Sequence, residues 1–475
     1  MVFEKETLYK IKHRASDLFD RTLDTNVNLA VTGLSRSGKT AFITSLVNQL
    51  LNAGYSADLP FFEVTKDDQL VGVKRVPQKN LHIPRFNYEG AINAFSNEPI
   101  DWPEPTKGIS QIRLALKYKP ESSLIKLAKD HVTLTIDITD YPGEWLLDLP
   151  LLGMTFEEWS EFSAELFENS IRTEYSQSFD EKLKQLDPLS PVNEDELAEI
   201  ANEYTELLHI FKNELGLSVI QPGRFVLPGE LSGAPVLQFF PYLNINELDK
   251  NKYQNAGDDT VIGMLKARFN EYKQRIVKKF YKEHFVNFDR QIILADCLTP
   301  LSHGEESFKE LKTAIDMIME SFNYGQSSLL KRMFSPCIDK LMFAATKADH
   351  VTPEQHKPLV SLLNQLVYSK MQALNFEHVE MKSIALSSVK VTDLGQSTHN
   401  GNTIPVIQGL RAQDKKLVTM FPGSVPAKFP DADFWQSNQF KFTNFDPKHK
   451  LTDGESLPHL RMDQVLQFLL GDKIR

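Results

Sequence analysis

The chain has 475 residues, a formal net charge of −10 and two cysteines. An excess of acid argues against an electrostatically driven nucleic-acid binder, two cysteines against a disulfide framework, and the lack of a long apolar run against a membrane span. Hydrophobic residues make up 41 % of the chain, enough for a sizeable core in two or three domains. The charge-rich start is unlike a secretory signal, and a cytoplasmic, reducing location is expected.

A helix is predicted over residues 4–23, with Leu8, Ile11, Ala15, Leu18 and Phe19 on a face that packs against the core rather than a membrane. Val27, Leu29, Ala30 and Val31 read as a short buried strand. Gly33-Leu34-Ser35-Arg36-Ser37-Gly38-Lys39-Thr40 follows it and matches the phosphate-binding pattern G-x-x-x-x-G-K-[ST]. Ile43, Leu46, Val47, Leu50 and Leu51 then recur at helical spacing, and Gly54 ends that helix. In this context the glycines let main-chain N–H groups turn inward around phosphates, and the helix N-terminus adds partial positive charge. Candidate nucleotide contacts are Gly33, Ser35, Arg36, Ser37, Gly38, Lys39, Thr40 and Ala41. Lys39 is expected at the β- and γ-phosphates and the Thr40 hydroxyl on Mg²⁺. Arg36 either reaches the phosphates or faces solvent.

Between this loop and the next motif a threonine is expected to complete the Mg²⁺ shell. Thr106, in Trp102-Pro103-Glu104-Pro105-Thr106-Lys107-Gly108, is preferred to Thr65 because it leads into a strand carrying Ile109, Ile112, Leu114 and Leu116. That strand is expected to pair antiparallel with one holding Val132, Leu134, Ile136 and Ile138, which ends at Asp140-Tyr141-Pro142-Gly143. This D-x-x-G offers a carboxylate for Mg²⁺ and a glycine whose N–H can approach the γ-phosphate without steric conflict. The residue after it is Glu144, a candidate catalytic group beside Lys39 and Thr106. It acts as a base only if its pKa or geometry is adjusted.

After Trp145 the chain leaves the nucleotide plan for about 140 residues, far more than a connection needs. Thr155-Phe156-Glu157-Glu158 is a capping box before a helix with Trp159, Phe162 and Leu166 on one face. Further helices are predicted over 194–215 and about 260–283. The last carries Lys266, Lys273, Lys278, Lys279 and Lys282, a basic face expected to meet the two acidic helices, with nucleic acid or anionic lipid as the alternative. In Gly223-Arg224-Phe225-Val226-Leu227-Pro228-Gly229, Arg224 is either structural or a charge donor to the phosphates.

The nucleotide plan resumes with a strand at 292–295 and a helix through Phe308, Leu311, Ile315, Ile318 and Phe322. A buried strand, 341–345, then runs into Thr346-Lys347-Ala348-Asp349, a T-K-x-D form of the guanine-reading motif. Asp349 can accept from the guanine N1–H and exocyclic amine, and adenine has a donor at neither position. Hydrogen bonds to charged groups contribute about 1.5–3 kcal/mol each, so losing both favours guanine by roughly two orders of magnitude or more. Lys347 lays its aliphatic stem along the base or ribose. Ser387-Ser388-Val389-Lys390 resembles the loop whose N–H meets the guanine O6, with Ser388 and Val389 as candidate contacts. Residues 399–454 show no clear period and are expected to be irregular, and 457–470 closes the domain as a helix.

In the order phosphate loop, D-x-x-G, T-K-x-D, S-S-x-K, the chain resembles the P-loop GTPases, and among them the YcjX-like family of bacterial stress-associated GTP-binding proteins. The closer match rests on Gly33 to Thr40, Asp140 to Trp145 (D-Y-P-G-E-W), Gly223 to Gly229 and Thr346 to Asp349. The resemblance implies an α/β fold with a Ras-like, mixed, mostly parallel sheet flanked by helices and a large, mainly helical insertion. Residues 1–145 and 286–475 would form the nucleotide domain and 146–285 the insertion. It implies GTP or GDP with Mg²⁺, slow hydrolysis, and a switch that meets a protein effector through the insertion, with peripheral membrane contact left open. Two alternatives stand beside it: an adenine-preferring ATPase or kinase with the insertion as lid, and an adaptor that holds nucleotide for integrity alone.

Overall fold

The computed structural model describes residues 25–34, 36–55, 58–65, 69–121, 130–168, 171–323, 338–376, 379–399, 401–437 and 440–474. The helix expected over 4–23 lies outside them. A seven-stranded sheet contains β1 (Thr25–Gly33), β2 (Leu70–Arg75), β3 (Ser110–Tyr118), β4 (Val132–Asp140), β5 (Arg290–Ala295), β6 (Lys340–Ala345) and β7 (Glu380–Ala385). Their order is β2-β3-β4-β1-β5-β6-β7. From β4 to β7 all neighbours are parallel, whereas β2–β3 and β3–β4 are antiparallel.

Parallel strands are covered on both faces, which is why β5 is buried at every position. Alternate residues separate two cores, as the two-residue period of a strand requires. Leu29, Val31, Ile292, Leu294 and Met342 face α1 (Lys39–Asn52) and the C-terminal helix Met462–Leu470. Ala30, Ile293, Ala295, Leu341 and Phe343 face the opposite layer. The β3–β4 register pairs Ser110 with Asp140, so the loop before β3 arrives beside the carboxyl end of β4. This brings Thr106 to the site.

The insertion contains α2 (Phe156–Phe167), α3 (Glu194–Asn213) and α4 (Val261–Glu271), the last continuing through a π turn at Tyr272–Val277 into Lys278–Glu283. The capping box forms in both directions: Glu158 N–H donates to Thr155 Oγ1 at 3.1 Å and Thr155 N–H to Glu158 Oε2 at 2.7 Å. Trp159 stacks on Phe269 with ring centroids 5.2 Å apart. The insertion packs on the sheet without a separate core, because one apolar cluster runs from Trp145, Phe156, Trp159 and Phe211 to Ile293, Phe343 and Leu366. Arg172, 1 % exposed, adds a polar bolt by gripping both carboxylate oxygens of Glu310 on the helix Glu305–Asn323.

Three of the five lysines of the basic face make contacts other than ion pairs with the acidic helices. Lys273 donates to the Met154 carbonyl, Lys278 to Gln274 of its own helix, and Lys266 lies over the Tyr253 ring. Arg268 does meet Glu194.

The segment expected to be irregular over 399–454 contains β9 (Asn402–Arg411), β10 (Leu417–Met420) and β11 (Phe445–Asp446). Together with β8 (Thr392–His399) they form a second, antiparallel sheet. Seven of the eight residues of β8 are exposed, so the strand has no apolar alternation to read. Its few buried neighbours, Ile407, Phe445, Leu451 and Leu457, pack on Ala41, Val389 and Val391.

Candidate functional site

β1 ends at Gly33, α1 begins at Lys39, and the loop between them turns through positive φ at Arg36 (63°) and Gly38 (80°). Gly38 caps α1 without a side chain, so the first-turn N–H groups are left for an anion. Lys39 folds back over the loop, its Nζ 3.1 Å from the Gly33 carbonyl. Ser37 Oγ is buried and unpartnered among the described residues, and Ser35 lies outside them. Gly143 rests against Gly33 so closely that a Cβ there would run into the Gly33 carbonyl. The D-x-x-G glycine thus abuts the phosphate loop, which explains why this position takes glycine.

Thr106 Oγ1 donates to Asp140 Oδ2 at 2.6 Å and lies 3.2 Å from Thr40 Oγ1. Asp140 Oδ1 is buried with no hydrogen-bond partner among the described residues. Burial pushes the Asp140 carboxyl up to about 6, against the pull of Lys39 and the Thr106 hydroxyl. Two hydroxyls and an under-satisfied carboxylate are hard oxygen donors suited to Mg²⁺ completed by phosphate oxygens and waters. The competing Thr65 is turned away, donating to the carbonyls of Leu59 and Phe62.

Glu144 is 3 % exposed, and its Oε1 lies 2.7 Å from Lys212 Nζ on the last turn of α3. Burial alone would raise its carboxyl, but the charges of Lys39 and Lys212 hold it below the usual carboxylate range. Arg36, though exposed, also reaches this helix end and donates to the Asn213 carbonyl. The two distinctive segments of the sequence touch one another. Gly223 N–H donates to Asp148 Oδ1 at 2.8 Å, Trp145 Nε1 donates to the Leu227 carbonyl at 3.2 Å, and the Arg224 guanidinium lies over the Trp145 ring.

At the base end, T-K-x-D and S-S-x-K lie together: Ala348 N–H bonds the Leu386 carbonyl, and Thr346 N–H bonds Ala295. Lys347, at φ 59°, reaches Asp296 Oδ2 (2.7 Å) and Asn444 Oδ1 (3.0 Å). Asp349 already accepts from Ser387 Oγ (2.6 Å), Val391 N–H (2.8 Å) and Thr392 N–H (3.2 Å). A carboxylate offers about four acceptor sites, so the two that guanine needs are not both open in this arrangement. Val389 is buried in the cluster holding Ala41, and Ser388 is half-buried beside it. Sequence reasoning missed Lys212, Asp296 and Asn444. Asp296 carried a readable signal, since it directly follows a parallel strand at the carboxyl edge where such sheets bind ligands.

A mixed, mostly parallel sheet with a phosphate loop after β1, flanking helices and a helical insertion defines a Ras-like P-loop α/β protein. The model of the YcjX-like family, DUF463, matches residues 27–474, and the chain belongs to that family. It is 47 % identical over 466 residues to a protein of Escherichia coli named "Ras-like GTPase YcjX", covering 98 % of this chain and 100 % of that one. A Shewanella oneidensis protein of the same name is 40 % identical over 479 residues, covering 98 % and 99 %.

Proposed function

We propose that this chain binds GTP with Mg²⁺, hydrolyses it slowly to GDP and phosphate, and acts as a switch whose helical insertion responds to the nucleotide. The observation that carries this reading is the double grip on the end of α3. Lys212 is held by Glu144 of the D-x-x-G segment and Asn213 by Arg36 of the phosphate loop. A γ-phosphate drawn to Lys39 removes that lysine's charge from Glu144 and adds repulsion beside it, so nucleotide state loads the contact with Lys212.

Lys39, Thr40, Thr106, Asp140 and Gly143 serve the phosphates and Mg²⁺, and Thr346, Lys347, Asp349, Ser388 and Val389 the base. On entering, the guanine donors replace the 391 and 392 main-chain amides on the Asp349 carboxylate. A carboxylate already paired and held ionised is a poor base, which supports slow turnover; intrinsic rates in this class fall as low as about 10⁻⁴ s⁻¹. The relatives' printed name, GTPase, supports hydrolysis. The protein works in the cytoplasm under stress, passing its state to a protein effector through the insertion.

Competition binding tests the assignment. Asp349→Asn weakens GTP and favours xanthosine triphosphate, and Lys39→Ala loses most triphosphate affinity. Unaltered guanine selectivity in the first, or unaltered affinity in the second, rejects it.

A further inference from the structure

A cleft of about 1410 Å³ opens beside Thr40, Thr106 and Asp140, and its far wall carries Trp145 and Arg224. The Arg224 side chain is only 9 % exposed and stacks over Trp145, but its hydrogen bonds are long. Nη1 makes long contacts to the Pro228 carbonyl (3.5 Å) and to the Glu230 carboxylate (3.4 and 3.5 Å), and Glu230 itself is 74 % exposed. Nε and Nη2 make no hydrogen bond among the described residues. A guanidinium has five N–H donors, so most of those of Arg224 remain open, on a cation that lines the same cleft as the Mg²⁺ candidates.

Its backbone is pinned to the D-x-x-G segment. A Cβ on Gly223 would run into the Glu144 carbonyl, so the residue before Arg224 lies directly against the peptide that follows Gly143. Two further cations near the loop are engaged elsewhere, Lys212 by Glu144 and Arg36 by the Asn213 carbonyl.

We propose that Arg224 is a catalytic arginine supplied in cis by the insertion, an inference that rests on the GTPase reading above. As the transition state forms it leaves Trp145 and Glu230 and turns its open donors to the γ-phosphate and the β–γ bridging oxygen. The water oxygen forms a bond to the γ-phosphorus as the bridging P–O bond breaks. GDP departs with that electron pair, the water proton passes to the phosphate, and the guanidinium carries the charge that develops on the bridging oxygen. Arginine suits this task because its planar fork donates two parallel hydrogen bonds, which lysine does not. GTPases with such an arginine in cis still turn over at only about 10⁻² s⁻¹, consistent with a slow switch.

The test is single-turnover GTP hydrolysis by the full chain with Mg²⁺, alongside binding of a fluorescent GTP analogue. Arg224→Ala is expected to lower the rate about 10²-fold or more with affinity within about threefold, and millimolar guanidinium to restore part of it. Arg224→Lys keeps a cation over Trp145 and serves should the alanine variant fail to fold; it is expected to be equally slow. An Arg224→Ala protein that hydrolyses GTP at the wild-type rate overturns the proposal, as does full rescue by Arg224→Lys. A wild-type chain that binds no GTP analogue overturns the nucleotide reading itself.

Discussion

Lys212 and Glu144 form an ion pair at 2.7 Å with side chains only 14 % and 4 % exposed, so solvent screens it little. Removing one partner of a buried pair costs about 3–5 kcal/mol, because a charge is left uncompensated, whereas replacing both by neutral groups is often nearly neutral. The charge of Lys39 still reaches Glu144, which places Lys212→Met at the lower end, about 3 kcal/mol. Loss of a cation from the last turn of α3 accounts for about 0.3–1 kcal/mol of that and persists in the double variant. Glu144→Gln should cost about as much as Lys212→Met, and Glu144→Gln with Lys212→Met about 1 kcal/mol, a coupling energy of about 5 kcal/mol. Urea unfolding of the four proteins, with unchanged denaturant slope as the control, measures this. Additivity of the two single changes within about 0.5 kcal/mol would refute the pair as the link between the D-x-x-G segment and the insertion.

Three further outcomes follow from the contacts around this link. Gly223→Ala drives a methyl into the Glu144 carbonyl and should destabilise by about 1–3 kcal/mol in the same urea assay; a wild-type midpoint would mean the segments are not in contact. Asp148 is buried against Gly223 and Tyr272, and burial pushes its carboxyl up to about 7. The folded chain therefore keeps a proton that the unfolded chain releases near pH 4, and the stability from this group falls as pH rises from about 4 through 7. Asp148→Asn should remove that slope, gaining on wild type in melting temperature from pH 5 to pH 8; parallel melting curves would contradict the assignment. Ser387→Ala deletes the 2.6 Å donor that orients Asp349 and should weaken GTP about tenfold in titration, leaving ATP unaffected, and equal loss for both nucleotides would argue against base reading.

Local chemistry was legible wherever the signal is carried by neighbours in sequence. The phosphate loop, the capping box at Thr155 and the alternation of Leu29, Val31 and Ala30 all depend on residues within one strand or turn, and signals of this local kind placed β1, β3 to β6 and α1 to α4. The antiparallel pairing of β3 with β4, and with it the meeting of Thr106 and Asp140, was also readable from two strands and a short connection. Tertiary packing alone decided which partner each charged side chain takes. Arg36 and Glu144 look like nucleotide ligands by position, yet both contact the end of α3, some 70–180 residues away along the chain. A helical period records which face is apolar, but nothing about the charge that a distant helix brings to its last turn. The same holds for β8, an exposed strand held to β9 by main-chain hydrogen bonds that leave no mark on side-chain pattern.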